Sequence, residues 1–448
     1  SRFEQASLVA IVRESAVRTA PRCRFFDVCG GCSMQHLQAD AQVAVKQRVL
    51  EDNLLRIGQL RPLVVFRPIR GPSWGYRYRA RLSVRYVAEP AAEYVQRLRD
   101  TARGRRPAGR QVSTTLPTHA DALPREPHAA PGPAVGAEPV TLIGFHERAS
   151  RFVADMTSCE ILPPRISALL VPLRELVSRL SVRRKLPQIE VSVGADEVAL
   201  VLRVLEPFDA SDERLLKEFA LTHGVHFWVQ PKGPETVERF YPVHGTLEYT
   251  LPEYDIRMPF KPTDFTQVNH QINRVLVSRA LRLLAPSRDE RVLDLFCGIG
   301  NFTLPLARIA GAVVGIEGSA VLTARALDNA RINAVDARTS FECRNLFEIG
   351  ATQLLALGAF DKWLIDPPRD GALAVVNALA EIARQNSGPL PSRIVYVSCD
   401  PATLARDAGV LVHQCGYVLT GAGVVNMFPH TSHVESIAVF ERPAGTAA

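Results

Sequence analysis

From about residue 260 the chain alternates short apolar runs with helical patterns, the runs falling at 291–295, 312–316, 339–343, 360–365 and 393–398. Strand and helix in alternation bury both faces of a sheet by winding helices over each side. The pattern therefore specifies an α/β fold, a Rossmann-like, doubly wound and mostly parallel sheet. Ligands of open parallel sheets bind beyond the carboxyl ends of the strands, so the residues just after these runs are the first candidates for function.

The preceding part follows a different grammar. Residues 40–57 carry apolar residues at helical spacing, and strand-like patterns follow at 66–86, 141–157, 188–205, 224–230 and 245–258, with helical patterns at 164–181 and 211–222 among them. This predicts a strand-rich α+β middle domain. Residues 88–139, rich in Ala, Pro, Arg, Thr and His, lack sustained apolar periodicity and are expected to form a mobile surface insertion. A chain of 448 residues accommodates two or three such units. The expected divisions are 1–20, 21–259 and 260–448.

The sequence has no run of about eighteen apolar residues and no signal-peptide core at its start, so a cytoplasmic protein without membrane association is expected. It begins without Met, and residues 3–13 read as the last strand of something that started earlier. A net charge of +7 fits a polyanionic partner but does not select one. Eight cysteines are too few for a secreted disulfide scaffold, and they are unevenly spread. Cys23, Cys29 and Cys32 cluster, Cys159 stands apart, and Cys297, Cys343, Cys399 and Cys415 lie in the last third.

The segment Val292 to Ala307 reads as strand, Gly-rich turn and helix, with Gly298 and Gly300 allowing a tight turn and close approach of a ligand. The next strand ends in Glu317, an acid placed to accept both hydroxyls of a ribose. A dinucleotide site calls for a third glycine where Thr303 stands, and Asp294 would repel phosphates. A cationic, phosphate-free adenosyl ligand, S-adenosylmethionine, fits better. Asn345 follows the third strand and Asp366 the fourth, so both face the same crevice as Glu317.

Residues 394–406 read as a strand ending at Ser398-Cys399, followed by Asp400-Pro401 opening a helix. A thiol at a helix N-terminus is expected to have its thiolate stabilised, as a nucleophile requires. Glu435, just before a final apolar strand, is a candidate general base. Upstream, Cys23-x5-Cys29-x2-Cys32 with a distant Cys159 suits structural zinc, an iron–sulfur cluster or unligated thiols. In residues 73–86, Arg77, Arg79, Arg81 and Arg85 share one parity of a strand with Trp74, Tyr76 and Tyr78 nearby. That pattern suits phosphate contacts with base stacking, or equally a solvated face over a core-facing aromatic row.

Taken together, DFTQVN (264–269), DLFCGIGNFTLPLA (294–307), DPPRDG (366–371), VSCDPATLARD (397–407) and HTSHVES (430–436) resemble the RNA (uracil-5)-methyltransferase family, most closely its 23S ribosomal RNA branch. The resemblance runs over nearly the whole chain. It implies that Gln267, Phe296, Asn301, Glu317, Asn345 and Asp366 surround S-adenosylmethionine, with Cys399 the nucleophile and Glu435 the base. It also implies that Cys23, Cys29, Cys32 and Cys159 hold a [4Fe–4S] cluster, and that the partner is 23S ribosomal RNA, with a flipped uridine as target and neither DNA nor membrane involved. A monomer is expected. Members of this branch begin with a small β-barrel TRAM domain, of which only the last strand is expected in residues 1–20, and the 88–139 insertion is longer than the family leads one to expect. An RNA cytosine-C5 methyltransferase would carry a second cysteine after Asp-Pro-Pro, where Arg369 stands. A nucleotide-dependent oxidoreductase with an iron–sulfur cluster would want the third glycine, and a non-catalytic RNA-binding factor would transfer no methyl group.

Overall fold

The computed structural model of the chain describes residues 11–87 and 139–443. The expected insertion, but for residue 139, and most of the strand expected at 3–13 lie outside the described residues. Within 11–20, Arg18 forms an isolated bridge to Leu37 and no strand is present. Helix α1 (Ala39–Arg56) comes first, then β1 (Val64–Val65), β2 (Arg79–Val87) and β3 (Val140–Gly144). The next elements are α2 (Pro164–Ser167), α3 (Leu170–Arg179), β4 (Gln188–Val193), β5 (Val198–Arg203), α4 (Ala210–His223), β6 (His226–Gln230) and β7 (Glu238–Tyr241). Strands β2 to β7 form a six-stranded sheet in the order β3-β2-β4-β5-β6-β7, antiparallel except for β5 beside β6.

The short-range signals in this region are ordinary ones. Helix α4 opens where the Asp209 carboxylate accepts hydrogen bonds from the Ser211 and Asp212 amides, and it stops at Gly224, whose φ of 61° suits a residue without Cβ. The runs expected at 188–205 and 245–258 each divide into two antiparallel strands around a turn. The second pair is β8 (Glu248–Leu251) and β9 (Ile256–Pro259). The strand expected over 66–86 begins only at Arg79. Pro68 and Pro72 cannot donate to a ladder, and the backbone there crosses between the two large sheets, the Ile69 amide donating to Val424 and the Tyr78 amide to Val268.

The remaining elements alternate as expected: α5 (His270–Leu284), β10 (Arg291–Leu295), α6 (Thr303–Ala307), β11 (Ala312–Glu317), α7 (Ala320–Ile332), β12 (Thr339–Cys343), α8 (Ala351–Leu355), β13 (Lys362–Ile365), α9 (Leu373–Gln385), β14 (Arg393–Ser398), α10 (Pro401–His413), β15 (Val418–Val425) and β16 (Glu435–Glu441). They build an eight-stranded sheet in the order β1-β15-β16-β14-β13-β10-β11-β12. Every neighbouring pair is parallel except those made by β16, which runs antiparallel to both β14 and β15. The start of β16 therefore lies at the edge where its neighbours end.

Helix α1 precedes the six-stranded sheet in sequence but packs with the eight-stranded one. Leu50 and Leu54 are fully buried in the same apolar core as Leu404, Ala405 and Leu411 of α10. Burial of this kind is worth on the order of 2 kcal/mol per leucine. At Gly58, just past the helix, a Cβ would meet the Ala405 carbonyl at 2.6 Å, so the close crossing of the two segments requires glycine. Among the described residues no helix is long and apolar enough to cross a membrane.

Candidate active site

The carboxyl ends of the central strands open into one cavity of about 620 Å³, and all eight residues singled out for cofactor binding or catalysis line it. The turn after β10 is sharp, with Phe296, Gly298 and Gly300 all at positive φ (64°, 56° and 95°). It brings the Gly298 amide to 3.1 Å from Glu317 Oε2 at the end of β11, while the Ser319 amide donates to Glu317 Oε1 at 3.1 Å. Glu317 is thus held at the rim by two backbone donors. Asn345 turns the chain after β12, accepting from the Phe347 amide (3.0 Å) and donating to Glu348 (2.9 Å). The Phe296 and Phe347 rings lie 5.7 Å apart at the same wall.

Asn301 reaches the cavity with its side chain already engaged. Its Oδ1 accepts from the Tyr249 hydroxyl (2.9 Å) and from Asn273 Nδ2 (2.8 Å), and its Nδ2 donates to Asn273 Oδ1 (3.0 Å). This reciprocal amide pair fixes the Gly-rich turn on α5. Gln267, by contrast, makes no side-chain hydrogen bond among the described residues and faces the cavity from the loop before α5.

Below the turn lies Asp294, fully buried, which accepts a 2.5 Å hydrogen bond from the Thr303 hydroxyl on one oxygen and has no partner on the other. Burial, with Asp366 and Glu317 nearby, pushes its carboxyl up to about 8. Asp366 is pushed up to about 7 by burial. Carboxyls packed this closely repel one another's charge, so the cavity floor favours a cation.

Cys399 and Glu435 face each other through the antiparallel ladder. Ser398 of β14 pairs with Ser436 of β16, so one step further along the same register Cys399 stands opposite Glu435. Burial raises the Glu435 carboxyl to about 8, with Asp366 adding to the rise and Arg369 and Lys46 opposing it. The Cys399 thiol is pushed up to about 12 by burial, then by Glu435 and Asp366, with Arg369 opposing. The expectation that the α10 N-terminus stabilises a thiolate needs correction. The Ala402 and Thr403 amides are taken by the Asp400 carboxylate (2.8 and 3.2 Å), and Pro401 has no amide hydrogen to offer. These surroundings favour the thiol over the thiolate at Cys399.

The arginine and aromatic row at 73–86 also serves other ends. Arg79 is engaged by the loop before α5, donating to the Asp264 carbonyl, to the Pro262 carbonyl (2.6 Å) and to the Thr266 hydroxyl (3.3 Å), and Arg81 pairs with Glu190. Tyr76 is buried with its hydroxyl on the Pro429 carbonyl (2.8 Å), Trp74 stacks on His430 (3.9 Å) and Tyr78 on His270 (4.5 Å). These rings are packing elements. Arg77 lies outside β2 and lines the cavity, where Arg369 and His433 join it, the last two within 3.2 Å of each other. Sequence reasoning assigns no role to Arg369 or His433. The signal that could find them is adjacency, since Arg369 directly follows Asp366-Pro-Pro and His433 is two residues from Glu435.

The four other candidate cysteines come together at a second, smaller cavity walled by Phe26, Phe145, Met156 and Ile161. Cys29 and Cys159 are buried and Cys23 and Cys32 half-buried. The Gly31 amide lies 3.4 Å from the Cys29 sulfur, and a Cβ on Gly31 would press against Phe145 at 3.3 Å. Burial pushes the Cys29 and Cys159 thiols up to about 12. Among the described residues, no group of three or more His, Cys, Asp or Glu side chains is arranged to hold a metal ion.

The chain is similar to known proteins both in sequence and in fold. A model of the family described as tRNA (Uracil-5-)-methyltransferase matches residues 243–443. A Burkholderia pseudomallei protein named 23S rRNA (uracil(1939)-C(5))-methyltransferase RlmD is 63% identical over 440 residues, covering 98% of this chain and 84% of that one. A Burkholderia thailandensis protein of the same name is 62% identical over the same shares. In fold, the chain is similar to a Pyrococcus abyssi tRNA (uracil-54, C5)-methyltransferase solved with S-adenosyl-L-homocysteine, at a TM-score of 0.64 and 22% identity over 96% of this chain and 88% of that one.

Proposed function

The chain belongs to the RNA (uracil-5)-methyltransferase family, and on that premise we propose that it methylates C5 of a uridine in 23S ribosomal RNA with S-adenosylmethionine as methyl donor. The observation that carries this reading is the meeting of Cys399 and Glu435 across one ladder, at the floor of the cavity whose rim holds Glu317. A ribose fits Glu317, and a sulfonium fits a floor at Asp366, with Asp294 buried beneath the turn; both raised carboxyls gain from a nearby cation. Gln267, Phe296 and Asn345 complete the wall, while Asn301 acts by holding the turn.

S-adenosylmethionine supplies an electrophilic methyl group. C5 of uracil is too weak a nucleophile to take it directly. In the proposed mechanism Cys399 releases its proton to solvent and its sulfur bonds to C6 of the flipped base, the C5–C6 electrons moving onto the C4 carbonyl; the C5 enolate so formed takes the methyl, and the electrons of the broken sulfur–methyl bond stay with the departing thioether. Glu435, as carboxylate, then removes the C5 proton. The C5–H electrons form the C5–C6 double bond, the C6–S bond breaks, and the Cys399 thiolate leaves. Arg369 acts on both groups as a cation that favours their charged forms.

We further propose that Cys23, Cys29, Cys32 and Cys159 hold a [4Fe–4S] cluster. Support comes from the donor set, four soft thiols converging on one apolar cavity with an N–H directed at sulfur. Such a group would tie the N-terminal segment to the six-stranded sheet. The expected units 21–259 and 260–448 are proposed with one amendment, since residues 39–69 pack with the catalytic sheet.

The test is incubation of the protein with unmodified 23S ribosomal RNA and methyl-labelled S-adenosylmethionine, followed by nucleoside analysis. Label is expected in 5-methyluridine and is expected to vanish in Cys399→Ala. Label in 5-methylcytidine, or label surviving Cys399→Ala, would remove this reading.

A further inference from the structure

Lys46, in the middle of α1, is only 1% exposed and makes no ion pair among the described residues. Its ammonium donates to two neutral oxygens, Asn426 Oδ1 at 2.8 Å and the Phe428 carbonyl at 2.8 Å. A buried charge compensated only by neutral acceptors is costly, and lysines in such places are uncommon. The two acceptors belong to the loop between β15 and β16, the segment that ends at Glu435.

That loop is gripped by three pieces of the N-terminal region. On α1, Gln42 accepts from the His430 amide (2.8 Å), and its Nε2 lies 3.1 Å from His430 Nδ1. The Ser33 and Met34 amides donate to the His430 carbonyl (2.8 and 2.9 Å), and Trp74 and Tyr76 hold His430 and Pro429 as described above. Those contacts fix position. Lys46 alone among them adds a positive charge.

We infer that Lys46 is a positioning residue for the second half of the catalytic cycle, the removal of the C5 proton: it anchors Asn426 and Phe428 in the loop that leads to Glu435 and, as a buried cation, favours the carboxylate form of that base. The inference rests on Glu435 being the base. The charged and titratable groups around Glu435 are Asp366 just after β13, Arg369 beyond it, Cys399 just after β14 and Lys46 from α1, with His433 two residues away on its own loop. Asp366 disfavours the carboxylate, whereas Arg369 and Lys46 favour it. Burial, with Arg369, Lys46 and Arg77, lowers the His433 imidazole and so favours its neutral form. Burial pulls the Lys46 ammonium down to about 8, and Glu435 opposes that fall, so each group supports the other's charged form near neutral pH.

The experiment follows release of the covalent methylated protein–RNA adduct as a function of pH in wild type, Lys46→Gln and Lys46→Arg. A base acts only when ionised, so release slows as pH falls through its midpoint. Without the cation that midpoint is expected to rise in Lys46→Gln, so that release slows at every pH below it, with binding of S-adenosylmethionine unchanged. Lys46→Arg is expected to restore the wild-type midpoint. If Lys46→Gln does not fold, Asn426→Asp decides the matter, because an anion placed on the ammonium should raise the midpoint in the same direction. A midpoint that stays put in the folded variants overturns the inference and leaves Lys46 a structural residue. Glu435→Gln separates the two levels: if it releases adduct at the wild-type rate, the base assignment fails, whereas slowed release with unmoved Lys46 midpoints removes this inference alone.

Discussion

The molecule contains two sets of cysteines whose thiols burial drives in the same direction, and they sit in opposite surroundings. Cys399 stands in a wide cavity beside Glu435, Asp366 and Arg369, and Cys29 and Cys159 stand in a narrow one walled by Phe145, Met156 and Ile161. All three are pushed up to about 12. A raised thiol therefore says little by itself. What separates the proposed nucleophile from the proposed ligands is their company: titratable neighbours and room for a substrate on one side, other sulfurs and apolar walls on the other.

The hardest blow to this contrast would come from the pair across the β14–β16 ladder. Glu435→Gln is expected to form the covalent methylated adduct and release it about 10²- to 10⁴-fold more slowly, the range general-base catalysis supplies, so that a denaturant-resistant protein–RNA band accumulates on gels. Normal turnover would break the division of labour between the two residues. In the closed cavity the expected effect is on stability. If the proposed cluster is held there, Cys159→Ala should lower unfolding free energy by about 2–5 kcal/mol in anaerobic denaturant melts, the scale for removing a cross-link that closes a long loop, and should bleach the brown colour expected of the wild type. A colourless wild type containing stoichiometric zinc would keep the ligands and change the metal.

A smaller effect sharpens the open side. Glu317→Ala removes the carboxylate held by the Gly298 and Ser319 amides and should weaken S-adenosylmethionine binding by about 1–3 kcal/mol in calorimetry, the scale of a charge-assisted hydrogen bond. Unchanged affinity would move the ribose elsewhere in the cavity.

Much of the catalytic half is legible in sequence because its signals are local. The runs 291–295, 339–343 and 393–398 coincide with β10, β12 and β14, each a continuous stretch bounded by turn residues. Parallel topology then carries Glu317, Asn345 and Asp366 to one edge without further information. The N-terminal half hides its role because its contacts are remote: Gln42 and Lys46 meet their partners 388 and 380 residues away. Trp74, Tyr76 and Tyr78 leave two readings open in sequence for a related reason, since exposure of a ring cannot be read from its parity. At Cys399 the motif is visible but its electrostatics are not, because Asp400 serves both as part of the motif and as the cap that takes the helix amides.

The antiparallel placement of β16 has a further consequence. Because successive side chains of a strand alternate between faces, sliding β16 by one residue against β14 would turn Glu435 away from Cys399 while leaving an equally well hydrogen-bonded sheet. The proposed nucleophile and base are thus geared together like teeth of one rack. A single-residue deletion within β16 should preserve binding of the methyl donor at the far strand ends and disable the proton transfer, and the segment that sets the tooth is the β15–β16 loop held by Gln42 and Lys46.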